Sequence, residues 1–335
     1  MTFTKIAGIS LTALLSVTVL AGCSPSTGDG TETTVLKVAF NQGEDHPQYV
    51  AMEALGEALS ERTDGAFEIQ MFPNELLGSQ QETIANVQSG SIDMSLIVGS
   101  LLENVNPDFV AFNLPYVFDS SEQQMSVLND PAIVGDLYAS MEDTGITVAG
   151  SFHSGVRNVY TKTGPIETPA DLAGQKIRVI QNDTMTTMMN LMGGSGTPMG
   201  QGDVYTAIQS GVLDGGENNE LIYNGLKHDE VAPYYARTNH LMVPDYLVVN
   251  TALLAGMSAE HRAIFEEEFA AAVELEVDLW NDSEETAITA AEAAGATFND
   301  VDTDLFKEAV QPLVDDKLSA SSVAQALYDS VQNAE

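Results

Sequence analysis

The chain has 335 residues, with 49 Asp and Glu against 12 Lys and Arg, a formal net charge of −37 at neutral pH. That balance excludes a nucleic-acid partner and attraction to anionic lipid headgroups, both of which need surplus positive charge. The single cysteine, Cys23, excludes an intramolecular disulfide and leaves catalytic thiol chemistry without a candidate.

Lys5 is the only charge before an apolar run, Ile6 to Leu20, that closes on Leu20-Ala21-Gly22-Cys23. A short positive region, roughly 15 apolar residues and a small-residue cleavage site make a secretory signal that is short for a bilayer span. With a cysteine directly after Ala-Gly, residues 1–22 resemble a bacterial lipoprotein signal, cleaved so that Cys23 carries lipid and anchors the protein to the membrane; the alternative is an ordinary signal with an incidental cysteine. Residues 23–34, polar and rich in Gly, Ser and Thr, form a flexible tether. The remainder is long enough for two domains, and 44% apolar content is enough to fill two cores. The acids are dispersed and no DxDxDG loop is present, so the acidity suits solubility or a salt-rich habitat rather than a cation ligand.

VLKVAF (35–40) reads as a buried strand. Pro47 opens a helix through Glu61 with Val50, Ala51, Ala54, Leu55, Ala58 and Leu59 on its apolar face, stopped by Asp64-Gly65. AFEIQMF (66–72) alternates Phe67, Ile69 and Met71 against Glu68 and Gln70, a period-2 strand. A helix over 80–88 and a strand over 92–98 complete a βαβαβ run, which predicts a largely parallel sheet flanked by helices. Ligands of such sheets collect beyond the carboxyl ends of the strands, here Asn41 to His46, Phe72-Pro73-Asn74 and Gly99-Ser100.

A second unit of the same kind starts near residue 155. RNVYTK and KIRVI are strands, and 183–192 is a helix whose Met185, Met188, Met189 and Met192 suit core packing or a binding surface. VYTAIQSG (204–211) makes a short helix, and a Gly215-Gly216 turn leads into Glu217, Asn218 and Asn219. HLMVPDYLVVN (240–250) reads as one strand returning to the first lobe. From Ser258 to about Ala294 the chain is helical without Gly or Pro, roughly 50 Å of helix, a spine for both lobes. The end, 303–332, reads as short amphipathic helices, and no further apolar segment is long enough to cross a membrane.

Scarcity makes each arginine informative. Arg62 and Arg262 lie in polar helical surroundings and read as solvated or locally paired. Arg157 and Arg178 lie in apolar strands. A guanidinium fork holds a carboxylate by charge-assisted hydrogen bonds of about 1.5–3 kcal/mol each. For either arginine a structural salt bridge is the competing reading, and for Asn218 and Asn219 it is turn chemistry. The five histidines, His46, His153, His228, His240 and His261, are scattered and none falls in an HExxH pattern. There is no GxSxG elbow and no Walker loop, and the glycines at 193–202 do not match GxGxxG. No catalytic residue, metal or cofactor is expected, and a binding protein is favoured over an enzyme.

The runs SGVRNVYTKTGPIETPADLAGQKIRV, TPMGQGDVYTAIQSGVLDGGENN and DEVAPYYARTNH closely resemble the extracytoplasmic solute-binding proteins of tripartite ATP-independent periplasmic (TRAP) transporters. EDHPQYVAMEAL, FPNELLGSQQETIANVQSGSIDM and FNLPYVF agree in order, so the likeness covers nearly all of 35–285. It implies an α/β fold of two lobes joined by crossing strands, each a sheet flanked by helices: lobe I at 35–154 plus 244–283, lobe II at 155–243 plus 284–332. It also implies an organic acid between the lobes and delivery to a permease of large and small membrane subunits, driven by an ion gradient. By the same resemblance Arg178 pairs with the ligand carboxylate, Arg157 gives a second contact, Asn218 reaches the ligand from the hinge side, and Glu217 braces the loop. KIRVIQND, GGENN, EDHP and Gln81-Glu82 look most like members that take up sugar acids such as uronates, with His46, Glu82, Gln181 and Asn219 as hydroxyl contacts. Gln201 stands where sialate-type members place an aromatic. ELIYNG departs from the run common among uronate binders, so four-carbon dicarboxylates and other hydroxy acids stay open. So do a receptor of the same shape for an ATP-driven importer and a periplasmic enzyme acting on sugar acids.

Overall fold

The computed structural model describes residues 33–334; the expected signal peptide, Cys23 and nearly all of the tether lie outside the described residues. Among the described residues no helix is long and apolar enough to cross a membrane.

Strand β1 (Thr34–Ala39) buries Leu36, Val38 and Ala39 and leads to α1 (Pro47–Arg62). That helix starts where Pro47 presets φ and where His46 Nδ1 accepts the Gln48 N–H at 3.3 Å. β2 (Phe67–Phe72) is followed by α2 (Gln80–Ser89), opened by a Ser79–Glu82 capping box and closed by Gly90 at φ +75. β3 (Met94–Val98), buried throughout, runs into α3 (Gly99–Leu102), and α4 (Ser121–Leu128) and α5 (Pro131–Ala139) precede β4 (Ile146–Phe152). The chain then enters a second sheet through β5 (Arg157–Thr161), β6 (Lys176–Val179), α6 (Asp183–Leu191), β7 (Ser195–Pro198), α7 (Val204–Ser210), β8 (Gly215–Asn218), α8 (Glu220–Gly225) and β9 (Tyr234–Leu241). β10 (Asp245–Asn250) returns to the first sheet, followed by α9 (Thr251–Gly256), α10 (Ala259–Ala294), β11 (Thr297–Asp300), α11 (Thr303–Ala320) and α12 (Ser322–Asn333).

The first sheet has the order β2-β1-β3-β10-β4 and the second β11-β9-β5-β8-β6-β7. The parallel β1–β2 and β1–β3 pairs are those the βαβαβ pattern predicts, while β10 lies antiparallel between β3 and β4 and makes the sheet mixed. The helix expected from Ser258 begins at Ala259, capped by Ser258 Oγ accepting the His261 N–H at 3.1 Å, and ends at Gly295 with φ +105. Its 36 residues span about 54 Å and pack against α1 beside the first sheet and α8 beside the second. Arg62 on α1 is locally paired, reaching Glu267 and Glu268 of α10 at 2.7 and 2.5 Å. The four methionines of α6 and its C-cap are fully buried, so core packing is their role.

Three expectations are corrected. HLMVPDYLVVN is not one strand: β9 ends at Leu241 in the second sheet and β10 begins at Asp245 in the first. Pro244, which has no N–H for a ladder, lies in the break, where its carbonyl accepts the Gly99 N–H at 2.8 Å. Gly215-Gly216 is not a turn but the start of β8, an inner strand of its sheet. The C-terminal segment does not stay with the second sheet. α11 packs on α6 and β9, but α12 crosses to the first lobe and packs on α4, α5 and the 3-10 turn Pro107–Phe112. There Gln123 Nε2 donates to Val331 O at 3.1 Å.

Candidate functional site

Three connections carry the chain between the sheets: 153–156, between β4 and β5; 242–244, between β9 and β10; and 251–296, through α9 and α10, between β10 and β11. The cavity between the sheets is lined by residues at or just beyond the carboxyl ends of β1, β3, β6 and β8, among them Asn41, Val98, Ile180 and Asn218. Gly155 has φ +66, and a Cβ there would stand 2.6 Å from the Trp280 ring of α10, so the first crossing presses directly on the spine.

Glycine also explains how β8 fits its sheet. A Cβ on Gly215 would stand 2.0 Å from Tyr160 O, and one on Gly216 would stand 2.5 Å from Tyr160 Oη. The close approach brings Glu217 and Asn218 beside β5, paired with Val159 and Asn158. Arg157 grips both: Nε donates to Glu217 Oε2 at 2.5 Å, Nη2 to Oε1 at 2.8 Å and Nη1 to Asn218 Oδ1 at 2.8 Å. All three residues are buried. Burial alone would raise the Glu217 carboxyl, but the Arg157 charge, helped by His240, holds it at about 2. Arg157 is thus half of a closed ion pair, with a protein carboxylate on its fork.

Arg178, on β6, is different. It is 4% exposed, and its Nε donates to Met199 O at 2.9 Å. Its two terminal nitrogens have no hydrogen-bond or ion-pair partner among the described residues. Burial lowers its pKa, with Glu217 opposing the shift. A buried cation without a bound counter-charge is expensive, and such a group attracts an anion.

Arg178, Arg157, Asn218, His46 and Gln181 line one cavity. Asn218 Oδ1 is occupied by Arg157 and by the Asn219 N–H, while its amide nitrogen donates to no described residue. Burial pushes the His46 imidazole down to about 3, so it is neutral; with Nδ1 accepting from Gln48, Nε2 carries the proton and can donate. Gln181 offers its side-chain amide, its carbonyl being taken by Asn104 Nδ2 at 3.0 Å.

Two expected contacts sit elsewhere. Asn219 is the N-cap of α8: Oδ1 accepts the Ile222 N–H at 2.9 Å and Nδ2 donates to Ser154 O at 2.8 Å, so both ends of its amide are used. Glu82 is exposed and closes the capping box of α2, where Oε2 accepts the Ser79 N–H at 2.9 Å; its neighbours Gln80 and Gln81 line the cavity instead. The sequence reading also missed lining residues, among them Gln42, Glu75 and Asp245. Gln42 falls within one strand end already noted, and Glu75 follows another by a single residue. Asp245 was hidden inside the segment read as one strand.

One buried arginine with free donors, several amides and a neutral imidazole can hold a carboxylate and a set of hydroxyls. Among the described residues no group of His, Cys, Asp and Glu is placed to hold a metal ion.

The model of the family described as "Bacterial extracellular solute-binding protein, family 7" (DctP) matches residues 38–320. An uncharacterized protein of Salmonella typhimurium, YiiZ, is 34% identical over 302 residues, 90% of this chain and 92% of that protein. A TRAP periplasmic solute-binding protein of Anaerococcus prevotii, solved with bound α/β-D-glucuronate, is 37% identical with a TM-score of 0.87, covering 90% of this chain and 97% of that one. Another from Xanthobacter autotrophicus, solved with β-D-galacturonate, is 31% identical with a TM-score of 0.86, covering 90% of this chain and all of that one. The chain belongs to bacterial extracellular solute-binding protein family 7, and its structural neighbours are transport receptors of the TRAP type.

Proposed function

We propose that the chain is the extracytoplasmic receptor of a TRAP transporter, that it binds a uronate or similar sugar acid between its lobes without transforming it, and that it hands the acid to a permease of large and small membrane subunits. The observation that carries this reading is Arg178, buried at the cavity with its terminal nitrogens unclaimed by the protein. It takes the acid carboxylate on its fork. Arg157, already held by Glu217, stiffens the wall and keeps the Asn218 amide nitrogen turned to the ligand. Asn218, Gln181 and the His46 Nε2–H then address hydroxyls. The solved relatives hold glucuronate and galacturonate, acids of this kind. Lipid on Cys23 completes the proposal by keeping the receptor at the membrane that carries its permease, and the mass of the mature N-terminus tests it.

A ligand that binds only the folded state raises the melting temperature, by about 4 kcal/mol of added stability at a thousand times Kd. In a thermal-shift panel of glucuronate, galacturonate, gluconate, succinate and malate, the uronates should give the largest rise. A panel in which only the dicarboxylates move the transition would overturn the substrate class. Chemical conversion of a uronate during the incubation would overturn the receptor reading.

A further inference from the structure

The two sides of the cleft meet at Glu75. It follows β2 on the first lobe, and with Asn74 it lies in the left-handed region, at φ +56 and +55, which non-glycine residues hold only under constraint. The constraint is local. The Asn74 N–H donates to Gln42 O at 2.9 Å and the Glu75 N–H to Phe40 O at 3.0 Å, which ties the turn to the carboxyl end of β1. The Glu75 side chain thereby reaches the turn Gln201–Asp203 of the second lobe. A Cβ on Gly202 would stand 2.7 Å from Glu75 Oε2, so glycine is what admits the carboxylate there. Asn41 Nδ2 donates across the same gap to Gln201 Oε1 at 3.5 Å.

The charges around the cavity then decide what it can accept. Arg157 is neutralised by Glu217, which leaves Arg178 and Glu75 as an opposed pair, with the half-buried Asp245 lining the same cavity. Burial raises the Glu75 carboxyl and the Arg178 charge opposes that shift. The Asp245 carboxyl is likewise raised by burial, although Gln48 and Ser154 donate to it. One ligand carboxylate satisfies Arg178. A second would enter a site that, among the described residues, holds no further unpaired cation and already contains Glu75.

We propose that Glu75, which meets the second lobe at Gly202, is a specificity residue that accepts hydrogen bonds from ligand hydroxyls and excludes acids with a second carboxylate. The inference rests on the reading of this cavity as a sugar-acid site and adds the class it rejects. A like charge about 6 Å away at an effective dielectric constant near 20 disfavours the diacid by about a hundredfold.

D-Glucuronate and D-glucarate are the probes, with affinities measured by calorimetry: glucuronate has one carboxylate and closes to a pyranose, glucarate has two and stays open, so the change in preference on substituting Glu75 is what isolates the charge. The wild-type chain should prefer glucuronate by about a hundredfold. Glu75→Gln should weaken glucuronate about tenfold and shrink the preference at least tenfold, because the acceptor is diminished and the repulsion is gone. Glu75→Asp should keep the preference while weakening both acids, since the charge stays and the reach to Gly202 is lost. Glu75→Ala carries the same expectation as the Gln variant and replaces it should that variant not fold. A preference unchanged within threefold in a folded Gln or Ala variant overturns the assignment while leaving the sugar-acid reading standing. A wild-type chain that binds neither acid overturns both.

Discussion

At the scale of single residues, two buried arginines of similar sequence context have opposite situations. Arg157 has its carboxylate inside the protein, and Arg178 has none among the described residues. Arg178→Ala should therefore cost about 2–5 kcal/mol of ligand affinity by calorimetry with a small change in melting temperature; a loss below tenfold would remove Arg178 from the site. Arg157→Ala strands the buried Glu217 carboxylate and should cost about 3–5 kcal/mol of folding stability even without ligand. Asn219→Ala should cost about 1–2 kcal/mol of stability, through the lost cap and the lost bond to Ser154, while uronate affinity stays within threefold. Affinity falling with stability unchanged would return Asn219 to the ligand. The scarcity of bases and the family motifs singled out Arg178, Arg157 and Asn218, which line one cavity, but the expected second ligand contact of Arg157 gives way to the competing reading, an ion pair with Glu217. Asn219 and Glu82 were misplaced for a physical reason. An Asn or Glu at a helix start looks the same in sequence whether it caps a backbone N–H or faces a cavity.

At the scale of elements, the structure turns on strands that the sequence disguises. GGENN has the composition of a turn, yet its glycines are selected by proximity to Tyr160 inside a sheet. Gly215→Ala should force that contact apart and cost about 3 kcal/mol in urea unfolding. A cost below about 1 kcal/mol would mean that the sheet yields locally. HLMVPDYLVVN has one continuous apolar pattern but serves two sheets, because the backbone break at Pro244 lies in the crossing segment. The helix from 259 to 294 was legible almost to the residue: its Ser258 cap, its terminal Gly295 and the absence of Gly and Pro between them are local features. The destination of α12 was not, since an amphipathic helix does not encode which apolar groove receives it.

At the scale of the whole molecule, acidity and buried carboxyls set the response to pH and salt. Glu220 of α8 is buried, its Oε2 has no partner among the described residues, and burial with the Glu284 charge raises its carboxyl to about 7. A raised acid stabilises the fold fully below its ordinary value near 4.5, and that contribution, about 3 kcal/mol at most, is lost as pH rises through 7. Glu217 has the opposite sign: with its carboxyl held near 2, it contributes above pH 4.5 and the contribution disappears as pH falls toward 2. The melting temperature should therefore climb from pH 7.5 to about 5 and drop below about 4.5, and Glu220→Gln should flatten the upper limb. A Gln variant whose upper limb matches the wild type would clear Glu220 of that role. Added salt should raise the melting temperature at pH 7.5 by screening a net charge of −37.

Local chemistry written along the chain was enough for the α/β class, the spine helix, the parallel core of the first sheet and the rarity that singled out Arg178. Each depends on periodicity, caps or charge balance among near neighbours. The partner of Arg157, the helix caps that claimed Asn219 and Glu82, the reach of Glu75 to Gly202 and the return of α12 depend on residues brought together from distant parts of the chain. No spacing in a single sequence specifies those meetings, because long-range packing chooses among surfaces that are locally alike.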